Sequence, residues 1–275
     1  GFIGQNMADD FVERGYQVVR YAKEEPYKNN LGELKKCQLV FIAVPTPTKP
    51  TGFDSSILEE VLGLLEAGTK VVIKSTILPG TTTRLQKVFP ALVLMHSPEF
   101  LREKTAAHDA RNPERNIIGI PDFDEVHETA AEFVLEVLPE AKYSKVIKVE
   151  EAELIKYVGN NFLTLKVVFM NLVYDLCVEA GADYEVVREA IGADSRIGIS
   201  HTNVVDKSGH PDAKPGRGAG GHCFPKDLAA FREIYEKTCP DKKIAIELLR
   251  NIEKINCSLL KESDKDLDII TSIYG

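Results

Sequence analysis

The chain has 275 residues, 44% hydrophobic and 28% charged, with a net charge of −8; this is an ordinary soluble-globular balance, with enough residues for two domains rather than one core. The negative balance argues against nucleic acid or an anionic membrane as a general partner, and no apolar run approaches the roughly 18 residues that cross a bilayer. Five cysteines without CxxC spacing fit a reducing, cytoplasmic compartment better than a disulfide framework.

Gly1-Phe2-Ile3-Gly4 does not read as a signal peptide. It leads into an amphipathic helix over residues 5–14, stopped by Gly15, and residues 16–21 then read as a strand. Glycines at a helix start ahead of a strand suggest the last two glycines of a GxGxxG fingerprint, whose backbone N–H groups and helix dipole hold a pyrophosphate. On that reading the first strand and the first glycine are missing. Apolar runs at 38–44, 70–74, 92–96 and 116–120 predict further strands, with a helix capped by Asp54 running to residue 66. Near-continuous apolar strands alternating with helices predict a Rossmann-like, doubly wound parallel sheet over residues 1–148. Ligands of such sheets sit at the carboxyl ends of strands. Those ends carry Val44-Pro45-Thr46-Pro47, Lys74-Ser75-Thr76 and His96-Ser97-Pro98-Glu99, although Pro, Ser and Thr are also ordinary turn residues. Where NAD-binding folds usually place Asp or Glu for the ribose, this chain has Arg20 and Lys23. Either suits a 2′-phosphate, so the reading leaves NADP open beside NAD.

Residues 149–275 predict an all-helical second domain. Over 151–180, Leu154, Val158, Phe162, Leu165, Phe169, Leu172 and Leu176 recur at steps of three and four, which is helical period. A rod of about 45 Å results, of the kind that separates domains or packs on a twin from a second subunit. Lys156 and Asn160 share a face roughly opposite Leu154 and Val158; a solvated polar face is the plain alternative. A helix over 183–191 precedes a polar loop to residue 215 that carries Arg196, and loops this long are usually functional or disordered. Helices from residue 226 and over 244–260 follow. Before them stands Gly216-Arg217-Gly218-Ala219-Gly220-Gly221-His222-Cys223-Phe224-Pro225-Lys226-Asp227. Glycines permit close backbone approach, and a nearby lysine favours a thiolate, so Cys223 is a candidate nucleophile; the alternative is a cysteine acting as a small hydrophobe. Six histidines are scattered without metal-ligand spacing.

Taken with Pro79-Gly80-Thr81, Ser97-Pro98-Glu99-Phe100-Leu101-Arg102-Glu103 and Glu151-Ala152-Glu153-Leu154-Ile155-Lys156, these stretches resemble the UDP-glucose/GDP-mannose dehydrogenase family. The resemblance implies NAD as cofactor, a nucleotide sugar as substrate and a homodimer through the long helix. It also implies two successive oxidations of the sugar C6 hydroxyl, through a thiohemiacetal and a thioester on Cys223. Lys156 and Asn160 then stabilise oxygen charge, Glu99 is the acid/base of thioester hydrolysis, and Thr76 and Asp227 hold the catalytic water and the lysine. Gly1, Phe2, Ile3, Gly4, Val44, Pro45, Thr46, Ser75, Thr76, Glu103 and Lys226 fall to the cofactor. Glu99, Phe100, Leu101, Arg102, Lys156, Asn160, Arg196, Lys214, Gly218 and Gly220 fall to the substrate. The chain departs from the pattern at His222, where a small residue is common, at Leu172 after Asn171, and in a longer loop over 200–215. The resemblance also implies a third, carboxyl-terminal nucleotide-sugar domain, which this reading expects to be absent from these 275 residues. The expectation is therefore that the 275-residue chain is inactive or weak and its full-length parent active, since remote binding energy drives the reacting centre. Two other readings remain open: a single-step β-hydroxyacid dehydrogenase, which needs no cysteine, and a non-catalytic cofactor-binding or dimerisation module.

Overall fold

Helices and strands alternate through the first half as the apolar runs require. In order they are α1 (Phe2–Glu13), a 3-10 turn (Lys28–Asn30), α2 (Leu31–Leu34), β1 (Leu39–Ile42), β2 (Thr48–Lys49), β3 (Gly52–Phe53), α3 (Ser56–Leu62), β4 (Lys70–Ile73), α4 (Thr81–Val88), β5 (Val93–His96), α5 (Ala106–Arg111), β6 (Arg115–Ile120), α6 (Glu125–Val137) and β7 (Tyr143–Lys148). Then come α7 (Val149–Ala180), α8 (Tyr184–Gly192), the short strands β8 (Asp206–Lys207) and β9 (Pro215–Gly216), α9 (Phe224–Thr238), α10 (Lys243–Glu262) and α11 (Leu267–Tyr274). The computed structural model describes residues 1–49, 52–102, 105–210 and 212–275. It divides into two compact units: Gly1–Pro47 with Phe53–Lys156, and Thr48–Gly52 with Tyr157–Gly275.

In the first unit one five-stranded sheet runs in the order β1-β4-β5-β6-β7. β1, β4 and β5 are parallel, with Ile42 beside Ile73 and Ile73 beside His96. β6 meets β5 antiparallel at His96 and Gly119, and β7 runs parallel to β6. The sheet is therefore mixed, not wholly parallel as expected. A parallel neighbour needs a crossover that carries the chain back to the end at which the preceding strand began. The six-residue α5 between β5 and β6 does not do so, whereas the 13-residue α6 does for β7. Residues 16–21, expected as a strand, form none; a strand needs a paired neighbour, and the described sheet ends at β1.

Alternation along the strands sends side chains to two separate cores. Val71, Ile73 and Leu94 pack with Leu58 and Leu62 of α3 and Leu85 of α4. Val72, Met95 and Ile118 face the other way, onto Met7 and Phe11 of α1 and Val134 of α6. Helices thus cover both faces of the sheet. The first turns of α7 lie directly on β6. A Cβ placed on Gly119 would sit 2.6 Å from the Cβ of Ala152 and 2.8 Å from the Cα of Val149. Gly119→Ala is expected to destabilise the first unit by about 1–3 kcal/mol, read from denaturant unfolding; a stability within error of wild type would contradict this packing.

α7 is 32 residues long, about 48 Å. Its periodic apolar stripe, Leu154 through Leu176, is exposed at every position, with Phe162 at 65%, Phe169 at 62% and Leu176 at 68%. The buried face is mixed instead: Tyr157, Asn161, Thr164, Val168 and Asn171. By length and hydropathy alone α7 also resembles a bilayer-crossing helix. In the second unit, Met170 and Cys177 pack with Tyr184 and Val204, Val168 packs with Leu228 and Ile252, and α11 packs on α9 through Ile269, Ile273 and Ala229.

Candidate active site

In the first unit Gly1, Phe2, Ile3 and Gly4 open α1, while Val44, Pro45, Thr46, Ser75 and Thr76 follow β1 and β4. Gly1 caps α1 with no side-chain partner, and the first turn carries no acidic residue. Its N–H groups are thus open to an anion, as a dinucleotide's pyrophosphate requires. Gly4 lies beside Ala43, just past β1, its Cβ position 3.8 Å from the Ala43 Cβ. The loops after β1 and β4 are latched together. Ser75 Oγ donates to the Val44 carbonyl at 2.8 Å and accepts from the Val44 N–H at 2.9 Å, while Thr46 Oγ1 donates to the Thr76 carbonyl at 2.6 Å. Val44, Thr46, Ser75 and Thr76 are therefore joined in one rim past β1 and β4, with Pro45 between them in the chain. Glu103 lies outside the described residues. Arg20 bonds Asp9 at 2.7 Å and Lys23 pairs with Glu60 at 2.7 Å, so a carboxylate already engages each cation proposed for a 2′-phosphate.

The end of β5 holds a buried ion pair that the residue-by-residue reading missed. Lys74 Nζ lies 3.3 Å from Glu99 Oε2 and donates to Ser97 Oγ at 3.1 Å. Glu99 Oε1 accepts from the Phe100 and Leu101 N–H groups at 2.7 and 2.9 Å. The carboxylate is fixed from both oxygens. Burial, and then the Lys74 charge, push the neighbouring His96 imidazole down to about 3, so it is neutral at every physiological pH. Phe100 lies under Arg115, whose guanidinium carbon is 3.8 Å from the ring centre, with Lys156 Nζ at 5.9 Å. Arg102 is tied to Asp109 at 2.6 Å.

In the second unit Cys223 is the exposed N-cap of α9, followed by Phe224 and Pro225. Proline in a first helical turn loses no hydrogen bond, so the Phe-Pro pair starts the helix just after the sulfur. The helix N-terminus favours negative charge there. One turn on, Asp227 is buried. Its Oδ2 accepts from Asn160 Nδ2 at 2.6 Å and its Oδ1 pairs with Lys226 at 2.7 Å. Asn161 adds a bond to the Asp227 carbonyl at 3.3 Å. Cys223, Lys226, Asp227 and Asn160 are therefore brought together within this unit, as the spacing alone did not dictate. Lys156 belongs to the first unit.

Other predicted residues lie elsewhere in the second unit. Arg196 is exposed and held by Asp194 at 2.5 Å. Lys214 pairs with Asp264. Gly218 and Gly220 turn their Cβ positions onto α10 and the turn before α11. Arg217 bonds Asn171 Oδ1 at 2.8 Å and Asp175 at 2.6 Å. Asn256, Lys265 and Asp266, which anchor this loop, carried no sequence signal, because their partners are backbone groups distant in the chain.

An α/β unit of dinucleotide-binding type, followed by a helical unit presenting a cysteine at a helix start, places the chain in the class of Rossmann-like dinucleotide-binding proteins. Residues 5–136 match the NAD binding domain of the UDP-glucose/GDP-mannose dehydrogenase family, and residues 150–258 match that family's central domain. The chain belongs to this family, and the matched first domain makes NAD its cofactor. It is 32% identical over 256 residues to the UDP-glucose 6-dehydrogenase TuaD of Bacillus subtilis, covering 88% of this chain and 51% of that protein. The UDP-glucose 6-dehydrogenase of Rickettsia prowazekii is 28% identical, with 97% and 59% covered. A solved UDP-glucose dehydrogenase from Pyrobaculum islandicum superposes with a TM-score of 0.77 at 30% identity, over 93% of this chain and 66% of that one. The chain thus spans little more than half the length of the curated relatives it matches.

Proposed function

We propose that this chain carries the cofactor-binding and covalent-chemistry part of an enzyme that oxidises the C6 hydroxyl of a UDP-glucose-like nucleotide sugar to the uronic acid. The observation that carries the reading is Cys223 at the start of α9 with Asp227, one turn on, gripping Asn160 at 2.6 Å. Bound at Gly1, Phe2, Ile3, Gly4, Val44, Pro45, Thr46, Ser75 and Thr76, NAD supplies the hydride acceptor for both oxidations. The first oxidation takes two electrons and two protons from the alcohol and leaves an aldehyde. Cys223 sulfur adds to the aldehyde carbon, forming a C–S bond and a thiohemiacetal hydroxyl. A second loss of two electrons and two protons makes the thioester. Water then cleaves the C–S bond, returning the thiol and releasing the acid. Asn160, oriented by Asp227, and Lys156 are assigned the negative charge on the reacting oxygen. Glu99, pinned by Lys74, is assigned the proton transfers of hydrolysis. The test is a panel of nucleotide sugars with NAD and a chain of the relatives' full length. Two NADH per molecule of acid are expected. One NADH per product would favour a single-step hydroxyacid dehydrogenase, and turnover without a nucleotide sugar would also overturn the reading.

The same reading assigns the exposed stripe of α7 to a second copy of the chain. Leu154, Val158, Phe162, Leu165, Phe169, Leu172 and Leu176 make one contiguous apolar face, larger than the scattered apolar residues of an ordinary surface. Burying each such side chain contributes about 1.5–3 kcal/mol. Phe162→Asp combined with Phe169→Asp is expected to convert dimers to monomers in light scattering. A monomeric wild type, or a variant that stays dimeric, would refute the assignment.

A further inference from the structure

The segment carrying Cys223 is tied down on both sides by α10, α11 and the turn between them. Upstream, Asn256 brackets Ala219: its amide oxygen accepts from the Ala219 N–H at 2.7 Å and its amide nitrogen donates to the Ala219 carbonyl at 3.0 Å. Lys265 Nζ donates to the carbonyls of Gly216 and Gly218 at 3.3 and 3.0 Å. Asp266, the left-handed N-cap of α11 with φ 52°, accepts from the Gly221 N–H at 2.6 Å, from Ser208 Oγ at 2.6 Å and from His210 Nε2 at 2.9 Å. Downstream, Tyr274 in the last turn of α11 donates its hydroxyl to the Pro225 carbonyl at 3.2 Å. Asn256, Lys265 and Asp266 are all buried.

The glycines of the loop close onto these groups. A Cβ on Gly220 would fall 2.1 Å from Asp266 Oδ2, and one on Gly216 would fall 2.7 Å from the Ser263 Cβ. Gly218 takes φ 85° with its Cβ position 3.1 Å from Leu259. None of the three positions accepts a side chain without pushing the loop off its supports. Residues 217–222 belong to no helix or strand, and Cys223 joins α9 through its carbonyl, which accepts from the Asp227 N–H at 2.9 Å, so the loop ahead of the sulfur takes its position from these outside supports.

We infer that α11 and the end of α10 act as a brace that aims the Cys223 thiol, with Asn256, Asp266 and Tyr274 as positioning residues. They fix the backbone at 219, 221 and 225, on both sides of the sulfur. The buried partners Asn256, Lys265 and Asp266 make their ties costly to break, because a freed N–H or C=O in a dry site loses about 1–3 kcal/mol, and the half-buried Tyr274 adds a fourth tie. Loosening the brace changes where the thiol sits relative to the start of α9, and its anionic form loses the support of that helix end.

The inference rests on Cys223 being the nucleophile, but its test reads the sulfur directly and needs no turnover. Tyr274→Phe and Asn256→Leu change no charge, so a change in the thiol reports position. Alkylation by iodoacetamide is followed at each cysteine by peptide mass spectrometry across a pH series, with Cys37 and Cys239 as internal references. The expected result is a Cys223 rate near neutral pH that falls about threefold or more relative to its own alkaline plateau, with both references unmoved. Asn256→Leu is the more severe change; if it does not fold, Tyr274→Phe decides. An unchanged Cys223 profile in Tyr274→Phe, or one that moves only in step with Cys37 and Cys239, overturns the brace and leaves the NADH stoichiometry test standing.

Discussion

Cys223→Ser, in a chain of the relatives' full length, is expected to release no uronic acid and to stop after one NADH per sugar. The first oxidation needs no covalent bond, only a base and a hydride acceptor. The second needs a tetrahedral carbon that can lose hydride, and sulfur supplies it by adding to the aldehyde. A serine hydroxyl in the same place is far less acidic than a thiol and a much weaker nucleophile near neutral pH. The loss in acid formation should be on the order of 10³-fold or more, the scale seen when a covalent nucleophile is removed. The check is product analysis by mass together with NADH counting. Continued formation of acid at more than about a tenth of the wild-type rate, little more than 1 kcal/mol in barrier, would remove Cys223 from the mechanism.

Glu153 is expected to carry the largest single effect on the first unit's stability. It is completely buried on α7, and its carboxyl accepts from the Gly80 N–H at 2.5 Å, the Thr82 N–H at 2.8 Å and Thr82 Oγ1 at 2.7 Å. It thereby caps the start of α4, which has no side-chain cap of its own. Glu153→Ala orphans two buried donors of Thr82, at about 1–3 kcal/mol each, and the half-buried Gly80 N–H, so the thermal midpoint should fall by about 10 °C or more. Burial raises its folded-state pKa from 4.5 to about 7, against the pull of the three donors. The folded chain therefore holds this proton where the unfolded chain releases it. Glu153's favourable contribution is complete below pH 4.5 and is lost as pH rises towards 7. Glu153→Gln removes the titration. The stability of wild type relative to this variant should decline by about 3 kcal/mol across that window and then level off. A difference that stays flat with pH would show that Glu153 is ionised throughout.

Much of the architecture was legible before any coordinates. The helices after Asp54 and Asp183 were announced by short polar residues ahead of apolar runs, and Asp183 does cap α8 by accepting from the Glu185 N–H at 2.8 Å. β1, β4, β5 and β6 were visible as apolar runs. β7 was not, because Tyr143-Ser144-Lys145-Val146-Ile147-Lys148 pairs along one side only and is largely exposed. α6 and α11 were also missed, although Asp124 does cap α6 by accepting from the His127 N–H at 2.8 Å. The α7 stripe shows a limit of periodicity. Its spacing correctly indicated a helix, but period alone does not say which face the rest of the chain covers.

The amino-acid sequence by itself determined the alternation of strands and helices, the long helix and the residues to suspect at Cys223, Asn160, Glu99 and Asp227, because each leaves a local imprint of period, cap or motif. Tertiary structure alone decided that β6 reverses against β5, that Lys74 pins Glu99, that Asp227 grips Asn160, and that Asn256, Asp266 and Tyr274 hold the cysteine loop. Those contacts join groups from 23 to 67 residues apart, and several of them use backbone carbonyls and N–H groups that do not depend on the residue type. Pairing of that kind leaves no mark in composition or spacing, and it arises only when packing brings the elements together.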